Sequence, residues 1–449
     1  MSKAGTSSHL EDGGSAGLDR ADKTPLDLAI IGGGLAGLIH LHYARRAGLQ
    51  ALLLERESGV GGLWRRLPAW QDLQVSLADF VVGDLSLNGP MQPEVLAYIE
   101  SWVERFALAD AIRVDSPVQR ARHTGSVWEL VTPAGTVRAR HLVAATGGHN
   151  KPLIPTVSRR DSRILEFHSS TLRDPATLKD RDVLVVGGGA SAFDLLDLCL
   201  SQEARRIAWV YRDVRWFSPT RKPKAIAGTV RPFAKLQADG MSVAEQNAAI
   251  GADLIGRYAK FGNEAIQPRR SLDVHHDQLI PGRAGMLANF GALERYPGTT
   301  VDSIAGDEVT LADGTRLAPD VVLWGTGYET DLSYFEDARI AAIRNVGELG
   351  ARCACQFRSL DAPHLYFPSV GLDGIGALSW SYALMARSIM SHIRGTARLD
   401  MTTQPRLNHL EIARHIAERD PASHGDGPVW DFYRELALGT PDDQPYPMP

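Results

Sequence analysis

The chain carries the stretch Gly32-Gly33-Gly34-Leu35-Ala36-Gly37 directly after an apolar run that predicts a buried parallel strand. About one domain later it carries a second stretch of the same kind, Gly187-Gly188-Gly189-Ala190-Ser191-Ala192. In such turns the first glycine allows the sharp bend, the second lets backbone N–H groups approach a pyrophosphate, and the third lets the helix pack closely on the strand. The phosphate then lies at the helix N-terminus. Two such turns predict an α/β fold with two Rossmann-like dinucleotide-binding domains.

The residue that closes the second strand of each unit reads the ribose of the bound nucleotide. In the first unit the apolar run 51–54 is followed by Glu55, whose carboxylate accepts from a ribose 2′-hydroxyl, as in FAD or NAD sites. In the second unit the run 207–211 is followed by Arg212, which binds a 2′-phosphate in a bidentate manner. We therefore expect FAD at the first turn and NADPH at the second. The alternative interpretation is a glycine-rich loop followed by a solvated charge in each case.

Composition limits the class of protein. A chain of 449 residues is long enough for two or three domains, and a formal charge of -5 argues against a nucleic-acid surface. The three cysteines, Cys199, Cys353 and Cys355, lack the spacing of a disulfide framework and favour a reducing compartment. No apolar run reaches the roughly eighteen residues of a membrane span. We expect a soluble, cytoplasmic protein.

The order of the patterns predicts how the chain is organised around the two units. A mostly helical stretch, for example 243–261, interrupts the second unit and is typical of a lid or substrate wall. A hairpin is expected over 308–315 and a late helix over 377–394. The expected segments are a disordered tail over 1–24, an FAD-binding domain over 25–160 and 320–400, an NADPH-binding domain over 161–319 with a partly helical insertion at about 217–287, and a C-terminal helical tail over 401–449.

Three further motifs give the chain a family resemblance. They are Gly61-Gly62-Leu63-Trp64, Ala145-Thr146-Gly147 and Asp320-Val321-Val322-Leu323-Trp324-Gly325-Thr326-Gly327-Tyr328. With the two turns, and in this order, the chain resembles the class B flavoprotein monooxygenases over most of residues 25–395. That family includes flavin-containing, Baeyer–Villiger and N-hydroxylating monooxygenases. The resemblance implies a flavin that NADPH reduces and that reacts with dioxygen to a (hydro)peroxyflavin, while oxidised nicotinamide stays bound.

Motifs and turns together define the expected cofactor-binding residues. They are Gly32, Gly34, Gly37, Glu55, Gly62, Leu63, Trp64, Thr146, Gly147, Gly187, Gly189, Ser191, Ala192, Arg212, Thr326 and Gly327.

The linker fingerprint of the family, Phe-x-Gly-x-x-x-His, is only partly present. His168 is retained, but Ser162 and Ile164 stand in place of the Phe and Gly, and in the late motif Trp324 and Gly325 replace the usual Leu or Phe and Ala. We therefore favour oxygenation at a heteroatom, chiefly amine N-hydroxylation, over Baeyer–Villiger insertion. A redox dithiol, which disulfide reductases of this architecture need, is missing from the sequence, so dioxygen is the expected electron acceptor. An NADPH oxidase or reductase without oxygen insertion is the other alternative.

Two residues are candidates for catalysis. Asp72 lies in the loop 70–80, where the resemblance places groups above the flavin, and would set a protonation state or orient an arginine, as an aspartate does in Baeyer–Villiger enzymes. Arg283 would bind the 2′-phosphate or stabilise developing negative charge. The alternatives are a loop carboxylate that caps a turn and a solvated arginine. The expected partners are a small organic substrate and dioxygen, with no metal, nucleic acid or membrane; substrate identity and a homo-oligomer are left open.

Overall fold

The computed structural model describes residues 24–73, 77–81, 85–219, 240–273, 279–354, 357–368 and 378–396. Almost all of the predicted tail 1–24, all of the tail 401–449 and parts of the insertion, 220–239 and 274–278, lie outside the described residues, as does Cys355.

Twenty-two strands are formed by the described residues. In chain order they are β1 (Leu26–Ile31), β2 (Ala51–Leu54), β3 (Ile112–Arg113), β4 (Arg120–Thr124), β5 (Val127–Thr132), β6 (Gly135–Ala144), β7 (Lys151–Pro152), β8 (Ser158–Arg160), β9 (Leu165–His168), β10 (Asp182–Val186), β11 (Arg206–Tyr211), β12 (Phe217–Ser218), β13 (Ile280–Pro281), β14 (Glu294–Pro297), β15 (Val301–Ala305), β16 (Glu308–Leu311), β17 (Arg316–Leu317), β18 (Val321–Trp324), β19 (Tyr328–Glu329), β20 (Cys353–Ala354), β21 (Arg358–Ser359) and β22 (Leu365–Tyr366).

Ten α-helices accompany these strands in the described part of the chain. They are α1 (Leu35–Arg46), α2 (Leu63–Arg66), α3 (Leu77–Phe80), α4 (Gln92–Arg105), α5 (Ala190–Ser201), α6 (Val243–Phe261), α7 (Ala284–Ala288), α8 (Ala338–Ala341), α9 (Val346–Ala351) and α10 (Leu378–Ile393). The short 3₁₀ helices are Ala109–Ala111, Pro175–Leu178, Glu264–Ile266 and Phe290–Ala292. No helix among the described residues is both long and apolar enough to cross a bilayer.

The first nucleotide unit is built on a nine-stranded sheet. Its path runs β20-β21-β22-β6-β1-β2-β3, with β5 paired to β6 and β4 to β5. Strand β1 is apolar and lies between β6 and β2, both parallel to it, because a strand buried on both faces needs hydrogen-bonding partners on both edges. Helices α1 and α10 pack together over one face of this sheet. The late helix therefore packs with the first unit.

The second unit has a five-stranded parallel sheet in the order β14-β11-β10-β18-β9. A smaller sheet, β17-β16-β15-β8, covers one face of it and contains the predicted hairpin as β16 and β17. The insertion contains the predicted helix as α6, which begins at a Ser242–Glu245 capping box and ends at Gly262. The fold is therefore the expected α/β arrangement with two parallel-sheet units.

One boundary differs from the expectation. Residues from 320 onward were expected in the first domain, yet β18 pairs with β10 through the register Val183↔Val321 and with β9 on its other edge. All four β18 residues are buried, so the strand needs a partner on each side and finds both in the second sheet. The chain returns toward the first unit only after Gly327, where β19 pairs with β7.

Candidate active site

The first turn is closed by two backbone contacts that exclude any side chain. A Cβ on Gly32, whose φ is 105°, would lie 2.5 Å from the Ala145 carbonyl oxygen, and a Cβ on Gly37 would lie 1.9 Å from the Gly32 oxygen. The Gly62 backbone packs against Gly34, since a Cβ on Gly62 would come within 2.8 Å of the Gly34 Cα. The turn, the Gly62 motif and the end of β6 thus meet at the N-terminus of α1, as a phosphate-binding site requires.

Glu55 lies at the edge of this turn and is buried. Its carboxylate accepts hydrogen bonds from the Gly33 N–H and, at 2.8 Å, from the Glu57 N–H. Each carboxylate oxygen has a second lone pair, so the group still fits a ribose hydroxyl. The acidic group and the cradle of N–H groups fit the adenosine end of FAD.

The second turn repeats this backbone with a different third position. A Cβ on Gly187, whose φ is 133°, would lie 2.2 Å from the Gly325 oxygen, just as Gly32 meets Ala145. A Cβ on Gly325 would lie 2.7 Å from the Ala192 Cα. Ala192 stands where the pattern has its third glycine, and the glycine at 325 leaves room for it. The unusual Gly325 of the late motif therefore has a packing reason.

Hydrogen bonds align the two units residue by residue. The Gly32 N–H donates to the Leu54 oxygen at 2.8 Å, and the Gly187 N–H donates to the Val210 oxygen at 2.9 Å. The residue equivalent to Glu55 is therefore Tyr211, which is buried, and Arg212 is the next residue, which is exposed. Sequence spacing alone equated Arg212 with Glu55, so this detail needed the structure.

The side chains around the second turn fit a nucleotide with a 2′-phosphate. No carboxylate occupies the position equivalent to Glu55, and the exposed Arg212 follows it. The carboxylate of Asp213 is turned back to accept from the Val214 N–H at 2.9 Å. The exposed Arg215 lies beside the turn, with its Cγ 4.0 Å from where a Cβ on Gly189 would be. Arg215 is a second cation at this edge.

The remaining predicted cofactor residues line the two turns. The Thr146 hydroxyl lies 3.3 Å from the Tyr334 hydroxyl, and the Thr326 hydroxyl donates to the Leu153 oxygen. Leu63 and Trp64 begin α2, where the Trp64 oxygen accepts from the Gln92 side chain at 2.6 Å. Gly147 follows Thr146 and Gly327 follows Thr326, while Ser191 lies in the first turn of α5.

The two catalytic candidates are in direct contact. The Arg283 guanidinium donates from Nη1 to Asp72 Oδ2 at 3.0 Å and from Nη2 to Asp72 Oδ1 at 2.6 Å. It also donates from Nε to Asp194 Oδ1 at 2.7 Å, and Nη2 lies 2.6 Å from the same oxygen. The side chain of Arg283 is 13% exposed, so the alternative of a solvated arginine is wrong. Asp194, on α5, was missed in the sequence because a helix-face aspartate carries no motif of its own.

The three residues, which we call the Asp72–Arg283–Asp194 cluster, join distant parts of the chain. Asp72 lies in the loop after α2, where its backbone forms an isolated antiparallel β-bridge with Met91. Asp194 is on α5, the helix that follows the second turn, and Arg283 directly precedes α7. The cluster therefore lies at the junction of the two nucleotide units.

Burial and charge decide the protonation of the cluster. Burial raises the pKa of Asp194 to about 6, against the lowering effect of Arg283 and with a further rise from Asp72 and Asp197. Burial alone would lower the pKa of Arg283, but the hydrogen bonds and charges of the two carboxylates outweigh it and raise that pKa. The guanidinium stays charged, and Asp194 is the member that titrates near neutrality.

Tyr328, which interacts electrostatically with Asp194, packs against His168 with 5.1 Å between the ring centroids. The buried His168 lies with Nδ1 2.8 Å from the Ser170 hydroxyl and Nε2 2.9 Å from the Gly327 oxygen, and burial lowers its pKa. Burial also raises the pKa of Tyr328, on which the charges of Arg66 and Asp194 act. His168, the surviving part of the linker fingerprint, therefore ties β9 to the turn after β18 as a neutral ring.

Cys199 and Cys353 take no part in this junction. Cys199 lies fully buried in the core of the second unit, and burial raises its pKa, as it does for Cys353. Both are inert thiols of the kind that packs in a core. Within the described segments no group of three His, Cys, Asp or Glu side chains is placed to hold a metal ion.

Comparison with known proteins agrees with this geometry. Residues 29–251 match the family described as pyridine nucleotide-disulphide oxidoreductase. A Baeyer–Villiger monooxygenase of Streptomyces coelicolor is 27% identical over 69% of this chain and 66% of its own length. A phenazine N-monooxygenase of Lysobacter antibioticus is 30% identical over 62% of this chain and 53% of its own length. An oxidised steroid monooxygenase solved with NADP shares the fold, with a TM-score of 0.63, 19% identity and coverage of 92% of this chain and 97% of that one.

The chain is thus similar to class B flavoprotein monooxygenases, and the resemblance found in the turns and motifs is confirmed. The same comparisons confirm the expected enzyme class, a flavin-dependent NADPH monooxygenase, and the expected cofactors, FAD and NADPH.

Proposed function

We propose that this monooxygenase transfers one oxygen atom from dioxygen to the nitrogen of a small organic amine. In this proposal FAD binds at the turn that Glu55 closes, and NADPH binds at the turn that Arg212 follows. When bound, FAD accepts a hydride from NADPH and passes the electrons to dioxygen. The observation that carries the proposal is the Asp72–Arg283–Asp194 cluster at the junction between the two turns.

The charge of the cluster supports an amine as the oxygen acceptor. One guanidinium faces two carboxylates, so the three residues together carry no net positive charge. Such a cluster gives little stabilisation to additional negative charge, because the charge of Arg283 is already neutralised by the two carboxylates. It suits a reaction in which a nucleophilic nitrogen attacks a protonated oxygen donor. Attack of an anionic oxygen donor on a carbonyl would require a cation that is free to respond.

In this proposal Asp72 is a positioning residue. Its two oxygens hold the Nη1 and Nη2 end of Arg283, with side-chain exposures of 21% and 13% for the two residues. A bidentate carboxylate–guanidinium pair of this kind fixes both distance and plane. Asp72 thus acts on the reaction through Arg283.

A Baeyer–Villiger reaction is the second candidate, and one observation favours it. Asp72 does orient an arginine, which is the role that resemblance to Baeyer–Villiger enzymes implies for an aspartate in this loop. If Asp194 were protonated, Asp72 would be the remaining carboxylate paired with Arg283, and the negative charge that opposes an anionic oxygen donor would be smaller.

A product analysis separates the two candidates. Purified holoenzyme is supplied with NADPH, heavy-isotope dioxygen, and amines and ketones of matched size, and products are identified by mass spectrometry. We expect N-oxygenated products that carry one labelled oxygen. Lactones or esters without N-oxygenation would support the second candidate. Hydrogen peroxide equal to the NADPH consumed, with no product, would contradict both.

Asp72→Asn tests the positioning role. The variant keeps the shape of the side chain but weakens its hold on Arg283, so we expect roughly tenfold less product per NADPH and correspondingly more hydrogen peroxide. The matched control is Asp253→Asn, which removes the carboxylate of an ion pair between Asp253 and Arg257 on the surface of α6. Equal coupling in the two variants would mean that Asp72 does no more than cap its loop.

A further inference from the structure

Asp194 is a buried carboxylate of the second unit that shares the arginine held by the first. Its side chain is 10% exposed, compared with 21% for Asp72, and it lies one helical turn beyond the glycine turn on α5. A single oxygen, Oδ1, accepts from the Arg283 Nε–H at 2.7 Å and lies 2.6 Å from Nη2. Asp194 therefore occupies the Nε side of the guanidinium, and Asp72 its far end.

The two carboxylates together fix the plane of the guanidinium. A guanidinium has five N–H donors, and here Nε donates to Asp194 while Nη1 and Nη2 each donate to Asp72. One carboxylate at the far end would still allow the group to swing about the Arg283 side chain. A second carboxylate at Nε, which also lies 2.6 Å from Nη2, removes that freedom.

We propose that Asp194 is a positioning residue of the active site, which holds the Nε side of Arg283, and that it is the member of the cluster that gains and loses a proton. The proposal rests on the proposed function for its effect on oxygen transfer, but the protonation of Asp194 is measurable without turnover. Asp194 thereby ties the helix of the NADPH turn to the loop of the FAD unit through one arginine.

The surroundings of Asp194 explain why it is the member that titrates. Arg283 favours the charged form of Asp194, whereas Asp72 and Asp197 oppose it, and Tyr328 is close enough to interact with Asp194 electrostatically. Asp197 lies one turn further along α5, where it accepts from the Met286 N–H at 2.7 Å. Asp194 is also the more buried of the two carboxylates that share Arg283. Its pKa of about 6 agrees with this geometry.

The consequence is a change of charge at the junction. Above a pH of about 6 the cluster carries one net negative charge, and below it the cluster is neutral. In the Asp194→Asn variant the side chain at position 194 carries no charge at any pH, so the cluster lacks the negative charge that Asp194 supplies. At pH of about 8 the variant should therefore behave as the wild type does below a pH of about 6.

Infrared difference spectroscopy of the holoenzyme tests the protonation directly. Acidification from about pH 8 to about pH 5 should produce a protonated-carboxyl C=O band with a midpoint near 6. The band should be missing from Asp194→Asn and present in Asp253→Asn, the exposed control on α6. A band that persists in Asp194→Asn, or that is lost in the control, would overturn the assignment.

The Arg283→Gln variant gives a second test in which Asp194 itself is not mutated. Because the guanidinium lowers the pKa of Asp194, its loss should move the midpoint of the band upward by about one unit or more. An unchanged midpoint would contradict the shared hold on Arg283, even if Asp194→Asn does not fold.

Turnover gives the positioning readout. The share of NADPH electrons released as hydrogen peroxide should change with pH around a midpoint near 6 in the wild type and should be flat in Asp194→Asn, while the KM for NADPH changes less than about twofold. A profile that keeps its midpoint in the variant would exclude the positioning role. Failure of the proposed function would appear differently, as a wild type that forms no oxygenated product while the infrared band still titrates.

Discussion

The two nucleotide turns share the backbone contact at their first glycine, and two of their sequence differences bear on the cofactor that each would bind. In each, the first glycine lies against the residue that follows a buried strand, Ala145 for Gly32 and Gly325 for Gly187, and a Thr-Gly pair comes next. The third position, however, is Gly37 in the first turn and Ala192 in the second.

The second difference is the ribose-reading position, which is Glu55 in one unit and Tyr211 in the other. Backbone geometry thus makes each turn a pyrophosphate cradle, since that part of a dinucleotide is common to FAD and NADPH. The side chains at this position and directly after it separate the two units, because NADPH carries a 2′-phosphate on its ribose and FAD does not. Substitutions in both units test how far this comparison holds.

Gly37→Ala has the largest expected effect. Its Cβ would lie 1.9 Å from the Gly32 backbone oxygen, which is held in the turn and cannot move away. We expect a protein that is lower in Tm by several degrees and contains little FAD, because the helix is pushed off the strand. Flavin absorbance per protein and a thermal melt measure the two effects.

Gly34→Ala provides the contrast within the same turn. The nearest atom to its Cβ is the Gly62 Cα at 3.6 Å, which is ordinary contact. The fold should therefore tolerate the methyl group, while FAD binding suffers because the second glycine faces the pyrophosphate. Equal loss of Tm in Gly34→Ala and Gly37→Ala would mean that the two glycines do not have separate roles.

Gly325→Ala tests the compensation in the second turn. The added Cβ would lie 2.7 Å from the Ala192 Cα and 3.0 Å from its Cβ, so we expect a loss of about 2 kcal/mol in unfolding free energy and weaker NADPH binding, with FAD content retained. Adding Ala192→Gly removes one of these contacts and should recover part of the loss, although glycine within a helix itself costs about 1 kcal/mol. Strictly additive effects of the two changes would show that residues 192 and 325 are not coupled.

Local patterns in the sequence predicted the features that depend on near neighbours. Both turns, helix α6 and the hairpin β16–β17 follow from turn residues and apolar periodicity. The membership of β18 did not follow, because a strand buried on both faces has the same apolar pattern in either sheet.

The candidate site was predictable only in part for the same reason. Asp72 and Arg283 were found separately, yet their contact joins residues 211 apart in sequence, and nothing local in the chain specifies it. Asp194 was missed because its function depends on a partner 89 residues away and on burial that a helix pattern does not reveal.

Arg212→Ala tests the side-chain half of the comparison. The loss of a charge-assisted pair to the 2′-phosphate should raise the KM for NADPH by roughly ten- to hundredfold and leave that for NADH nearly unchanged. Arg206→Ala, at the other end of β11 and paired with Glu294, is the matched control. The KM values for NADPH and NADH are measured by steady-state kinetics. An equal rise in the KM for NADH would mean that Arg212 does not bind the 2′-phosphate, and Arg215 would become the candidate.

Gly147→Ala and Gly327→Ala have the smallest expected effects and test whether the two strand ends are equivalent. Both glycines have left-handed backbones, with φ of 78° and 81°, and a Cβ at either position meets nothing within 4 Å. Each change should therefore cost about 1 kcal/mol in the cofactor-free protein, from backbone conformation alone. Repeating the unfolding measurement with saturating FAD for the first variant and NADP⁺ for the second separates backbone from cofactor contact. A further loss of unfolding free energy in each variant with its own nucleotide would mean that the cofactor approaches both strand ends closely. A further loss in Gly147→Ala alone would mean that only FAD approaches the strand end of its unit so closely.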